Sequence, residues 1–233
     1  MAQPAFWATV GAPKHDVSRD HWTLERYNCT VRVGDSVRLA VDAFEQSELE
    51  LAVMLSCAAV DGTAKKALPG RSGNRDRFTA LIRNYYWLLE PMAMSGVNLV
   101  ETRWTNVPLP SNPAPDFAEI VYLAHRNAHM HGDSVPSAHV EFTASVGSGR
   151  LAIEFGNGWI RLPDNLPFGL IAIAVLDPSN VGERVPEGYH LTLAGEVFEI
   201  NEWWGRAADF EAVASAANSV RVKLDMGDWT GGP

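Results

Sequence analysis

The sequence predicts an α+β fold: a helical unit at about residues 34–135, with β-rich segments at 1–33 and 136–233 on either side. Three observations carry that expectation. From Ser36 to His129 apolar residues recur at spacings of three and four, the period of a helix with one buried face. That pattern is interrupted by "VPLPSNPAP", four prolines in nine residues, which cannot be helical and reads as a rigid connector. Beyond Pro136 the pattern changes to short runs such as "VEFTAS", "RLAIEF" and "GWIRLP", separated by the turn sequences "SVGSG" and "GNG".

Taken in order, "FWATVG" and "YNCTVRVG" read as short N-terminal strands. The clearest helical region runs from Ser36 to about Ala67, capped by Asp35 or Ser36, with Val37, Ala40, Val41 and Phe44 on one face. Its second apolar series is Leu51, Met54, Leu55, Ala58, Ala59 and Thr63, so it is one long bent helix or two joined near Gln46–Ser47. After the loop "PGRSGN", Phe78, Leu81, Ile82, Tyr85, Leu88 and Leu89 define a further helix that Pro91 is expected to stop. Asp116 caps the last helix of the unit, with Phe117, Ile120, Val121, Ala124 and Ala128 on its apolar face and Gly132 as terminator. In the C-terminal part "LPFGLIAIAVLDPSN" fits a buried strand or a short helix, of which the helix is favoured. "YHLTLAGEVFEINEWW" reads as a hairpin, with Trp203 and Trp204 as core or interface aromatics, and "RAADFEAVASAAN" as a helix.

At 233 residues and 46% hydrophobic the chain can build a core without staples. Cys29 and Cys57 sit in unlike contexts, which indicates neither a disulfide framework nor a cysteine zinc site. The N-terminus lacks a basic start and an apolar run of signal-peptide length, and no stretch is long enough to cross a bilayer. A cytoplasmic protein without membrane contact is expected. The net charge is −9, and thirteen of the 28 acidic residues lie beyond residue 136 against six basic ones, which argues against indiscriminate nucleic-acid binding. One stretch runs the other way: Lys65, Lys66, Arg71, Arg75, Arg77 and Arg83 face a single acid, Asp76. It reads as a solvated surface or as a patch that faces phosphates.

The densest chemistry lies in "HRNAHMHGD", residues 125–133, at the end of the Asp116 helix. Three readings compete. His125 and His129, four apart, share a helix face as a two-histidine metal pair would, with Asp133 or His139 as a third ligand. Arg126 stands where the glutamate of H-E-x-x-H belongs, and its charge opposes a dication. The second reading is a polar helix end whose histidines meet the negative end of the helix dipole. The third is metal-free phosphodiester cleavage, in which an RNA 2′-OH needs a base, the phosphate a cation and the 5′-oxygen an acid. Histidine and arginine supply those roles. Arg126 and His131 are five apart, about 140° around an ideal helix. They converge only if the last turn loosens before Gly132, or if two copies of the helix meet across a dimer axis.

"RNAHMH" fits the R-x4-H motif of the HEPN superfamily (higher eukaryotes and prokaryotes nucleotide-binding), with Asn after the Arg. "YLAHRNAHMHG" resembles the terminal helix of those domains, and "LSCAAVDGTAKK" with "RDRFTALIRNYYWLL" is similar to the earlier helices of one bacterial branch. The resemblance covers roughly residues 36–135 and leaves the β-rich remainder aside. It implies a four- or five-helix bundle that forms a homodimer and brings two motifs into one cleft. Active members are metal-independent endoribonucleases, frequently toxins or antiviral effectors, that leave 2′,3′-cyclic phosphate ends. Others are silent nucleotide-binding or protein-interaction modules. Carried over by position, Arg126 stabilises the phosphate, His131 is the acid or base, and Asn127 orients His131 or binds phosphate. Lys65, Lys66, Arg71, Arg75, Arg77 and His129 then contact RNA. Asp61 is either a partner of Arg126 or a histidine, or a buried salt-bridge residue. No cofactor is implied; RNA, a second copy and a neutralising protein are the expected partners.

Overall fold

The computed structural model describes residues 9–11, 32–109, 111–129, 139–143, 153–216 and 220–225; the side chains of residues 9, 10, 126–129, 139 and 143 lie outside that description. It is an α+β structure. The helices α1 (Val33–Glu45), α2 (Leu49–Ala67), α3 (Asn74–Asn84), α4 (Tyr86–Ala93) and α5 (Phe117–His129) come first.

Helix α1 starts earlier than its sequence suggests. Asp35 sits inside the first turn, where its carboxylate accepts the Arg32 backbone N–H at 3.3 Å. Val33 and Gly34, the end of the expected second strand, are therefore helical; residues 27–31 of that strand lie outside the described residues. Gly34 is required by its neighbour, because a Cβ there would come 2.4 Å from the Arg184 carbonyl oxygen. The choice between one bent helix and two resolves as two. The Ser47 N–H bonds the Phe44 carbonyl at 2.9 Å and the Glu48 N–H bonds that of Ala43 at 2.9 Å. This is a Schellman closure with Ser47 at φ 63°, where glycine is usual.

The break between α3 and α4 also differs from expectation. Pro91 does not end the helix; it lies inside α4, and the interruption falls at Tyr85. At the interruption the Tyr85 hydroxyl donates to Asp177 at 2.9 Å, across 92 positions of sequence. Pro91 forfeits one helical hydrogen bond close to a helix end that comes two residues later, which limits its usual cost.

Past α5, strands β2 (His139–Thr143), β3 (Glu154–Gly156) and β4 (Trp159–Pro163) form a sheet of order β2–β4–β3. Strand β2 runs parallel to β4 and β3 antiparallel, with Glu154 opposite Arg161. Helix α6 (Leu166–Leu176) settles the ambiguous apolar stretch: all eleven residues are buried. It packs on α1, α2 and α4, and Gly169 lets α4 approach, since a Cβ there would lie 2.7 Å from a Leu89 methyl carbon. A 3₁₀ turn (Pro178–Asn180) leads to β5 (His190–Leu193) and β6 (Glu196–Glu199), a hairpin turned by Ala194 and Gly195 at positive φ. Strand β1 (Thr9–Gly11) pairs antiparallel with β5. Next come α7 (Ile200–Trp203), which takes up the end of the expected hairpin, and α8 (Ala207–Ala216). Trp203 stands edge-on to Phe198 and Phe210, and Arg206 lies 4.5 Å from its ring centroid.

A single apolar cluster runs from Val33 to Ala214, so residues on both sides of the 135/136 boundary share one core. Each fully buried Leu, Ile or Phe in it contributes about 1.5–3 kcal/mol of burial. No described helix is long and apolar enough to cross a membrane.

Candidate functional site at the end of helix α5

Helix α5 is fixed at its start. The Asp116 carboxylate accepts the Glu119 N–H at 3.1 Å, and Glu119 reaches back to the Asp116 N–H at 3.4 Å. This reciprocal pair is a capping box, with aspartate in the serine position. Each of its acids also holds an arginine of α3. Arg83 bonds Asp116 through Nε at 2.6 Å and Nη2 at 3.1 Å, and Arg75 bonds Glu119 at 2.8 Å. Asn112 of the proline-rich connector adds a bond to Glu119 at 2.6 Å, and the Ala118 N–H donates to the Tyr86 hydroxyl at 2.9 Å. The Asp116 bond is the main reason the Arg83 guanidinium holds its proton above the ordinary arginine range.

Farther along, Phe117, Ile120, Val121 and Ala124 are buried, as their spacing predicts. His125 stacks on Phe78 of α3, with ring centroids 5.3 Å apart and planes 3° from parallel. The ring is thus packed between helices and is also near Tyr122. Arg126, Asn127 and His129 occupy the last turn of α5. His131 and Asp133 lie outside the described residues, and His139 begins β2. Among the described residues, no three His, Cys, Asp or Glu side chains group as metal ligands would.

The basic run is extensively bonded within the molecule. Lys65 pairs with Asp61 at 2.5 Å, one helical turn away. Asp61 thus has a local salt-bridge role. Lys66 donates to Glu183 at 2.6 Å and to the fully buried Asn180 at 3.0 Å. Arg71 pairs with Asp76 at 3.0 Å, and Arg77 donates to Asn74 at 2.6 Å and to the Arg71 carbonyl at 3.1 Å. Arg75 also meets the Ser111 hydroxyl at 2.8 Å. The Lys65, Arg71 and Arg75 side chains remain 53%, 50% and 42% exposed, so a phosphate has access to them but shares them with carboxylates. Glu119 was not singled out in the sequence, and Arg83 entered only as the last member of the basic run. The D-x-x-E spacing before an apolar run is the signal that locates Glu119.

The family model Rv1289 matches residues 32–230, from the start of α1 into the C-terminal tail. The chain belongs to the Rv1289 family. Its relatives include "Uncharacterized protein Rv1289" of Mycobacterium tuberculosis and "Uncharacterized protein Mb1320" of Mycobacterium bovis. Each is 34% identical over 207 residues, which cover 86% of this chain and 97% of the relative. No solved structure matches the chain. The Rv1289 match takes in the helices, the β2–β4–β3 sheet and α6 together, so the end of α5 belongs to a unit larger than residues 36–135.

Proposed function

We propose that this Rv1289-family chain is a metal-independent endoribonuclease of HEPN type, with its helices as the HEPN-like bundle and the β segments as additions to it. One observation carries the reading: Arg126 and Asn127 of the R-x4-H sequence stand in the last turn of a helix clamped to α3 by Arg83–Asp116, Arg75–Glu119 and the His125–Phe78 stack. A helix clamped in this way, with Arg126 in its last turn, suits chemistry in which positioning and charge do most of the work. In the proposed reaction a histidine base removes the 2′-OH proton and the 2′-oxygen attacks phosphorus. Arg126 neutralises the non-bridging oxygens, and the 5′-oxygen leaves with a proton from the acid, giving 2′,3′-cyclic phosphate and 5′-OH ends. One motif supplies too few groups for all three roles, so the working form is a two-fold homodimer that joins two α5 ends. A toxin or defence role, held in check by a neutralising protein, follows from the same resemblance.

A second reading has its own observation. Lys66, Arg75, Arg77 and Arg83 already spend donors on internal partners, as a non-catalytic nucleotide-binding or protein-interaction module allows. Purified protein incubated with total RNA, with and without EDTA and with end-group analysis, separates the two. Cleavage that survives EDTA and leaves cyclic phosphate supports the enzyme; intact RNA with folded dimer supports the module. Cleavage lost to EDTA favours the His125/His129 metal pair instead.

A further inference from the structure

Residues 220–225 lie across the loop that leaves α4. The Val222 N–H donates to the Gly96 carbonyl and the Asn98 N–H to the Val222 carbonyl, both at 2.9 Å, which makes a parallel bridge at Val97. The Leu224 N–H donates to the Thr102 hydroxyl at 3.1 Å, and a second parallel bridge joins Arg103 to Asp225. Beneath them Arg221 pairs with Glu90, a residue only 2% exposed whose other oxygen accepts the Leu99 N–H at 2.9 Å.

The way this segment is held differs from the rest of the core. Val220 and Val222 are 88% and 54% exposed and Leu224 alone packs, half-buried, against the core, so hydrogen bonds and the Arg221–Glu90 pair hold the strand with little apolar burial. Segments with few buried apolar contacts open ahead of the global fold. Opening here has a specific consequence. Glu90 is left as a buried carboxylate without its cation, a state that is strongly disfavoured. An empty groove therefore favours prompt refilling by an extended chain that carries arginine one residue before the bridged position. A second copy carries that sequence.

We propose that residues 220–225 are a detachable strap, and that the groove of Gly96–Asn98, Thr102 and Glu90 docks the same segment of a second copy of this chain. Recognition is strand addition: main-chain bonds supply the grip, and the Arg221–Glu90 pair sets the register.

The test uses full-length chain and a fluorescein-labelled peptide with the sequence of residues 219–226, standing in for the second copy's segment. The peptide is expected to bind the Arg221→Ala chain at least about tenfold more tightly than wild type, whose tethered strap competes at high effective concentration. The same peptide with alanine for its arginine is expected not to bind. In wild type, the Val222 and Leu224 amides are expected to exchange hydrogen before those of α2. At high concentration, sedimentation is expected to show association beyond the low-concentration species, which excess peptide reverses while leaving any dimer joined through α5 intact. Should Arg221→Ala fail to fold, the two wild-type measurements decide. The proposal is overturned by Val222 exchanging only with global unfolding, by absent saturable binding to folded Arg221→Ala chain, or by a wild type that shows no concentration-dependent association sensitive to the peptide.

Discussion

Arg83 grips Asp116 with two guanidinium nitrogens, at 2.6 and 3.1 Å, while the same carboxylate caps α5. One side chain thus joins α3, the end of the proline-rich connector and the helix that carries the histidine-rich sequence.

Asp116→Ala is expected to destabilise the protein by about 2 kcal/mol, of which about 1 is the lost cap and the rest charged hydrogen bonds. The ion-pair share is held low because the Arg83 side chain is 40% exposed. Asp116→Asn retains a capping oxygen and should lose about half as much. Urea unfolding measures both; equal losses would show that the ion pair, not the cap, dominates.

Arg71→Glu tests the basic run without disturbing α5, because its partner Asp76 is 49% exposed and belongs to the same local turn. RNA binding should weaken and its log–log salt slope should fall by about 1. Arg75→Glu is a poorer probe. It sets a like charge beside Glu119, which is only 12% exposed, and should also destabilise the fold by about 1–2 kcal/mol. Unchanged affinity and salt slope in Arg71→Glu would return the run to a solvated surface.

Acid should reveal Glu183. Burial by itself raises its pKa, but the Lys66 ammonium and the Gly34 N–H outweigh it and leave the carboxyl below its ordinary value. A lowered native pKa contributes stability that is present above the unfolded value, about 4.3, and lost as pH falls through the native one. Wild type should therefore melt higher than Glu183→Gln at pH 7, and the gap should shrink below about pH 4. A gap that is constant from pH 7 to pH 3 would assign the difference to packing.

If the α5 end cleaves RNA, His131→Ala should lower the rate by roughly 10²–10⁴-fold, and Arg126→Ala comparably, with folding intact. His125→Ala should act differently: its ring stacks on Phe78, so melting temperature should fall along with any effect on rate. Single-turnover cleavage and thermal melts, run side by side, separate these patterns. A larger rate loss from His125 or His129 than from His131 would replace the Arg/His pair with the metal pair.

By itself the sequence determined whatever depends on near neighbours. The periods of α3 and α5, the Asp116 cap, the non-helical proline-rich connector and the GNG turn between β3 and β4 were all legible, whereas α2 buries Ala52, Val53, Cys57 and Val60 and leaves the expected Leu51 exposed. Each legible feature rests on contacts within a few positions of the chain. Other features required the folded chain. The helix breaks at Tyr85, whose hydroxyl is held by Asp177, and Pro91 is tolerated within the α4 that follows. The ambiguous stretch became α6 because α1, α2 and α4 enclose it on every side, and an apolar run has no period of its own to read. Likewise Lys66 looked like a free cation in the sequence, yet meets Glu183 from 117 positions away. A charge pattern records which groups exist; which of them meet is decided by burial in the common core, which sets distances that sequence separation does not encode.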